Sequence, residues 1–270
     1  MNPVRNSPPR RPFGRASAGA ISNGMKRILP SSLLLVGFLS LWEMYCRVSG
    51  ISKTILPAPS DIFAALITYR DILLVHTIQT LEETLIGLLL ATALGVGVAI
   101  LLFLFPRVRA AVYPLLVFSQ TIPIIALAPL LLIWFGFDLL PKVIVVVLYC
   151  FFPIAIAVTD ALHAVDQNSV DLLKSMRASN WQILYFVRLP SALPAFFSGL
   201  LSSTTYAITG AIVGEYVGAY KGLGVFMQTS ANSHITVLVF AALAVIALLS
   251  MLLLGLVAVL ERMFTPWRNV

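Results

Sequence analysis

Ser202, Thr205, Tyr206 and Thr209 recur at i, i+3, i+4 and i+7, so a helix carries all four on one face. Three hydroxyls and one aromatic ring can bind and stack on a small heterocycle, but they offer no acid–base pair. The same stripe also suits hydrogen bonding between membrane helices. A second polar group, Gln120, Thr121 and Pro123, lies within an apolar run together with Pro129. Each proline removes a backbone donor and frees a carbonyl, which is tolerable where neighbouring groups or cavity water satisfy it. Glu215 is an acid near the end of another apolar run and is a gate candidate; snorkelling or pairing with Lys221 would also account for it. Cys46 and Cys150 fall in apolar stretches and read as packing residues. His76, His163 and His234 lie far apart and lack metal-ligand spacing. No phosphate-binding glycine loop, nucleophile elbow or zinc motif occurs, so the chain is expected to hold no cofactor.

The polar stretch 166–188 carries two helix starts in quick succession. Asp166 is a suitable N-cap for a short amphipathic helix, with Asp171 one turn ahead of Lys174. Ser179 and Gln182 then have the spacing of a capping box, which starts a second helix over 181–187, ending before Pro190. Between them the two helices are expected to expose Leu172, Leu173, Met176, Trp181, Ile183 and Phe186. That surface suits a groove on a soluble partner, or two interfacial helices lying on lipid headgroups.

These residues must be positioned by elements that live in lipid. Of 270 residues 59% are apolar and only 11% charged, against about 25% charged in soluble domains. Six spans of about 20 residues each are expected near 28–48, 80–105, 111–135, 142–162, 194–214 and 236–260. Gly87, Ala91 and Gly95 form a small-residue row for close helix packing. Glu82 and Glu83 open the second span, where the helix dipole would favour them. In the long 49–79 connection, Ser60 is expected to cap a short helix running along the membrane surface.

The net charge of +7 is placed in gaps between spans, which argues for topology rather than nucleic-acid binding. Arg107, Arg109, Lys174, Arg177, Arg188, Arg262, Arg268 and the N-terminal basic residues share one side, leaving Arg47, Lys53, Arg70, Lys142 and Lys221 on the other. The positive-inside rule therefore predicts both termini and the 163–193 loop in the cytoplasm. Residues 1–27 are polar and either form a disordered tail or, up to position 24, precede a start at Met25; 28–270 form the transmembrane domain.

The segment 166–194, ending Arg188-Leu189-Pro190-Ser191-Ala192-Leu193-Pro194, resembles the "EAA" loop of permeases in binding-protein-dependent ABC importers. Asp171 stands where that family has Glu, and Leu172-Leu173 where it has two alanines. Arg177 replaces the usual glycine, so the turn over Arg177, Ala178 and Ser179 is expected to use ordinary backbone conformations. Leu56-Pro57-Ala58-Pro59-Ser60, the 119–129 stretch, Trp134-Phe135-Gly136 and Gly210 to Tyr216 are similar to the nitrate, sulfonate and taurine branch. Phe151-Phe152-Pro153-Ile154 and Thr205-Tyr206-Ala207 look most like permeases for the thiamine-precursor pyrimidine, with riboflavin permeases close behind.

The resemblance implies an all-α, type I ABC importer permease that is not itself an enzyme. It would work as a homodimer in the bacterial inner membrane, with a cytoplasmic ATPase dimer binding ATP and Mg, and with an extracytoplasmic solute-binding protein. Asp171, Leu172, Leu173, Met176, Arg177, Ala178, Ser179 and Trp181 would couple to the ATPase. A different class, an ion-coupled secondary transporter, is disfavoured because no span is expected to hold a buried pair of charged residues for proton or sodium coupling, and inverted repeats are not evident. A membrane-embedded enzyme would need a convergent set of acid, base or metal ligands, which the sequence lacks.

Overall fold

Without water to satisfy its N–H and C=O groups, a chain in lipid closes its hydrogen bonds within helices, and every regular element here is helical. The computed structural model describes residues 18–266, with side chains at 30 and from 32 onward. The elements are α1 (Ala18–Val48), α2 (Pro59–Thr68), α3 (Arg70–Leu104), α4 (Pro106–Ser119), α5 (Ile124–Phe135), α6 (Leu139–His163), α7 (Gln167–Ser175), α8 (Asn180–Ile183), a π-turn (Leu184–Arg188), α9 (Leu189–Gly218), α10 (Leu223–Asn232) and α11 (Thr236–Phe264). No strand occurs among the described residues.

Among the described residues four stretches are long and apolar enough to cross a membrane: α3, α6, α11, and the continuous Asn180–Gly218 segment that contains α9. They contain the spans expected at 142–162, 236–260 and 194–214, and the one expected at 80–105 as far as Leu104. At 35 residues, α3 is about 52 Å long and overshoots a hydrocarbon layer of about 30 Å. The run expected near 28–48 lies inside α1, which starts earlier, at Ala18, so residues 18–27 of the tail expected over 1–27 are helical instead; residues 1–17 of it lie outside the described residues.

The span expected at 111–135 is not one helix. It is broken into α4 and α5, which meet at 99°. Pro123 disfavours helical backbone at Ile122 and itself serves as the N-cap of α5. The break therefore falls on the Gln120–Thr121 dipeptide that the sequence had marked as polar.

The core lies where α6 packs between α3 and α9, with α11 behind. Leu88, Val146, Cys150, Ile154, Ala207, Ala211, Leu253 and Val257 interlock there, all buried. Gly87, Ala91 and Gly95 line the α3 side. A Cβ at Gly87 would fall 2.5 Å from Val146 Cβ, so only glycine lets the two helices approach this closely. A second apolar cluster joins α2, α10 and α11 through Ile62, Ala65, Leu223, Phe226, Leu238 and Ala241. Ser60 does not cap α2. Ala58 is the N-cap, Pro59 opens the helix, and Glu43 of α1 accepts the Ser60 N–H at 3.0 Å. Chain direction then sorts the bundle into two ends: α7 and α8 join α6 to α9 at one, while α2 and α10 lie at the other.

Candidate functional site

At the first end, local chemistry builds a helical hairpin. Asp166 accepts the N–H groups of Asn168 (3.3 Å) and Ser169 (3.1 Å), capping α7 as its spacing predicted. These backbone bonds, Asn168 first, hold its carboxyl below the ordinary 3.8. Lys174 Nζ lies 3.3 Å from Asp171 Oδ1. Ser179 and Gln182 form the expected capping box, with Ser179 N–H donating to Gln182 Oε1 at 2.7 Å.

The turn between the two helices departs from expectation. Arg177 is left-handed, with φ 60°. Ala178 N–H donates to Leu173 O (3.0 Å) and Arg177 N–H to Lys174 O (2.9 Å), the two bonds of a Schellman motif. Arg177 thus occupies the C′ position that glycine normally fills, at a cost of about 1–2 kcal/mol for an L-residue.

The second helix does not stop before Pro190 either. It passes through the π-turn into α9, where the wider turn places Pro190 in the first turn of the next helix and leaves no α-helical N–H to be missed. Leu172, Met176, Trp181, Tyr185 and Phe186 are exposed, whereas Leu173 is half-buried and Ile183 is buried. Val170, Ile183 and Leu184 turn inward. Arg188 donates to Leu162 O and stacks 4.7 Å above the Phe103 ring, fixing the hairpin to α6 and α3.

Mid-bundle, the break between α4 and α5 opens a cavity of about 390 Å³ lined by Gln120, Pro123, Tyr149, Phe152, Pro153 and Tyr206 among others. A neighbouring hollow of about 250 Å³ shares Gln120 and Pro153 and adds Ser198, Gly199 and Ser202. The two halves of the polar reading, one on α4–α5 and one on α9, therefore meet here. Ser202, Thr205, Tyr206 and Thr209 all sit on an exposed face of α9, but Thr121, Thr205 and Thr209 do not line either hollow. The hydroxyls of Ser202 and Thr205 donate back to Ser198 O (3.0 Å) and Leu201 O (3.3 Å) of their own helix. Tyr149 and Phe152 of α6 complete the lining, beyond the residues expected on α4, α5 and α9. Their i, i+3 spacing on α6 was the available signal.

At the opposite end Glu215 is buried, 1% exposed, and does not pair with Lys221. Thr80 Oγ1 donates to Glu215 Oε1 at 2.6 Å and accepts the Leu223 N–H at 2.8 Å. Gly224 N–H donates to Glu215 Oε2. Gly222 has φ 131°, and a Cβ there would lie 2.1 Å from Glu215 Cδ, so both backbone and space require glycine. Glu83, fully buried, meets Lys142 Nζ at 3.4 Å and accepts from Gln79 Nε2 at 2.9 Å.

Two expectations fall here. Glu83 does not open a helix, because α3 begins at Arg70 more than three turns earlier, so the helix dipole does not account for it. The spans do hold a buried pair of opposite charges, since Lys142 lies within α6 and is 5% exposed. Cys46 and Cys150 are free and buried, as packing residues should be. Among the described residues no group of His, Cys, Asp and Glu could hold a metal ion.

Residues 85–266 match the model of the family described as binding-protein-dependent transport system inner membrane component. The chain belongs to that family. As a permease it is a membrane component of an ABC importer and not an enzyme. It is 40% identical to a probable ABC transporter permease of Haemophilus influenzae over 85% of this chain and 94% of the relative. Identity to the formylaminopyrimidine transport permease ThiX of Halalkalibacterium halodurans is 38%, over 89% and 96%. Identity to the taurine transport permease TauC of Escherichia coli is 32%, over 87% and 88%. Among solved structures, an inward-facing MetNI methionine ABC transporter chain aligns with TM-score 0.64 at 20% identity, over 73% of this permease and 98% of that chain. That likeness supports the type I importer permease fold. Family membership also implies an ATP-binding-cassette subunit and a solute-binding protein as partners of the permease, and it supports a multi-pass inner-membrane location.

Proposed function

We propose that this permease carries a small, flat, uncharged organic solute, a thiamine-precursor pyrimidine, through the mid-bundle cavity by alternating access. The observation that carries this reading is the lining itself. Tyr149, Phe152 and Tyr206 offer ring faces, Gln120 offers one amide, and no charged side chain contributes. Aromatic faces suit a planar heterocycle. An obligate anion such as a sulfonate would meet no cation there, which favours the pyrimidine over taurine, sulfonate or nitrate. Riboflavin, also planar, is the second reading.

In this proposal the exposed hairpin residues Asp171, Leu172, Met176, Arg177, Ser179 and Trp181, with Leu173 and Ala178 half-buried among them, dock into an ATPase that holds the ATP and Mg. Two copies of the chain face each other across the path. Both termini and the hairpin are cytoplasmic, and the Glu215 end faces the binding protein. Arg177 and Lys174 near the hairpin support that orientation.

The test is ATP-driven uptake into proteoliposomes containing the permease with its ATPase and binding protein. Labelled formylaminopyrimidine is expected to accumulate, and riboflavin and taurine are not. Tyr206→Ala should lower uptake about tenfold, because stacking on one aromatic ring is worth about 1–3 kcal/mol, while ATP hydrolysis by the complex persists. Taurine uptake, or full pyrimidine uptake in the Tyr206→Ala variant, would overturn this assignment.

A further inference from the structure

The Glu215 end of the bundle holds a group of charges that lines neither mid-bundle hollow. Glu83, Glu215 and Lys142 come from α3, α9 and α6, and all three are buried. Thr80, which donates to Glu215 Oε1 at 2.6 Å, stands one turn before Glu83 on α3, so the two carboxyl groups face the same stretch of that helix. Glu83 Oε1 takes both Lys142 and Gln79, while Glu83 Oε2 is buried with no partner. Both oxygens of Glu215 already accept, from Thr80 and from Gly224.

Two adjacent carboxylates against one ammonium would leave an uncompensated negative charge in a low-dielectric interior, which is costly. One proton on the pair removes it. A protonated Glu215 would donate to Glu83 Oε2, giving the orphaned oxygen its missing donor, while Glu83 remains the ionised partner of Lys142.

We propose that Glu83 and Glu215 share a single proton and, with Lys142, form a neutral latch that ties the start of α10 to α3. The tie is direct. Glu215 and Thr80 together hold the N–H groups of Gly224 and Leu223, and His76 Nδ1 accepts that of Gly222 at 3.0 Å. The other polar or charged groups facing the pair are Gln79 and His76 on α3, Tyr216 beside Glu215 on α9, and Lys221 in the loop before α10, which acts on His76. Parting α10 from α3 would bring both carboxyls to water, where each ionises near its ordinary value of about 4. Opening this end at neutral pH therefore releases the shared proton to solvent.

The test counts charges in the full chain in lipid nanodiscs. The wild type is expected to show at neutral pH the infrared carbonyl band of a protonated carboxylic acid, and Glu215→Gln and Glu83→Gln should each abolish it. Both single variants should fold, since in each one carboxylate still balances Lys142. The double variant leaves Lys142 unpaired and should lose about a hundredfold in folded population. Adding Lys142→Met to the double variant should restore folding. Absence of the band in the wild type overturns the proposal, as does its persistence in both single variants. A double variant as stable as the wild type does the same, because it would mean that Lys142 is uncharged. Should either single variant fail to fold, the wild-type band and the triple variant still decide.

Discussion

Replacing Arg177 with glycine is expected to tighten the hairpin between α7 and α8. Arg177 holds the left-handed C′ position with φ 60°, which costs an L-residue about 1–2 kcal/mol. Glycine removes that cost but loses more backbone freedom on ordering, about 0.5–1 kcal/mol. The net gain is about 0.5–1 kcal/mol, or about two- to fivefold in the closing equilibrium of the turn. Hydrogen exchange on the detergent-solubilised full chain reads this locally. The amides to follow are those of Met176 and Ala178, which donate to Leu172 O and Leu173 O. Both should exchange about two- to fivefold more slowly in Arg177→Gly, in line with that gain. Arg177→Asn, which tolerates the left-handed region, should also slow them, whereas Arg177→Ala keeps the Cβ and should not. Equal slowing in the alanine and glycine variants would assign the effect to the lost charge and refute the argument from backbone strain. Unchanged exchange in Arg177→Gly would refute it outright.

Three further outcomes follow from the same geometry. Ser179→Ala removes one half of the capping box and should cost about 1 kcal/mol, seen as faster exchange at Gln182, whose N–H donates to Ser179 Oγ; Ser179→Thr should retain protection. The Asp166 carboxyl is held below 3.8 by the Asn168 and Ser169 donors. Its contribution to α7 is therefore fully present above that value and is lost as pH falls through the lower folded value. A spin label at Ser175→Cys should gain mobility in that acid range, and Asp166→Asn should abolish the pH dependence. Gly87→Ala should force α3 and α6 apart at the 2.5 Å approach to Val146, lowering stability by about 1–3 kcal/mol. Val146→Ala in the same chain should recover part of the melting temperature, and no recovery would remove Val146 as the obstacle.

Much of this molecule is legible in its sequence because lipid leaves few choices. Apolar length alone locates α3, α6, α9 and α11, and the small-residue row on α3 already points to a close partner. Caps are equally local, so Asp166, Ser179 and Gln182 reveal the hairpin. What stays hidden depends on helices that are distant along the chain. Glu83 and Lys142 lie 59 positions apart and meet only once α3 packs on α6, so neither residue looks buried by its own neighbours. Tyr149 and Phe152 become cavity wall only because the α4–α5 break faces them. Arg177 misleads for a different reason. Hydrogen bonds on both sides force the left-handed turn, and they outweigh a residue type that argues against it.

The unbroken segment Asn180–Gly218, 39 residues long, has a mechanical consequence. At 1.5 Å per residue it is a rod of about 58 Å. Trp181 stands on the surface at one tip, and Glu215 lies near the other, in contact with Thr80 and Gly224. Along that rod Tyr206 faces the cavity. A tilt imposed at one tip therefore moves the cavity wall and the far carboxyl in the same stroke, with the π-turn as the one place where the rod changes its winding.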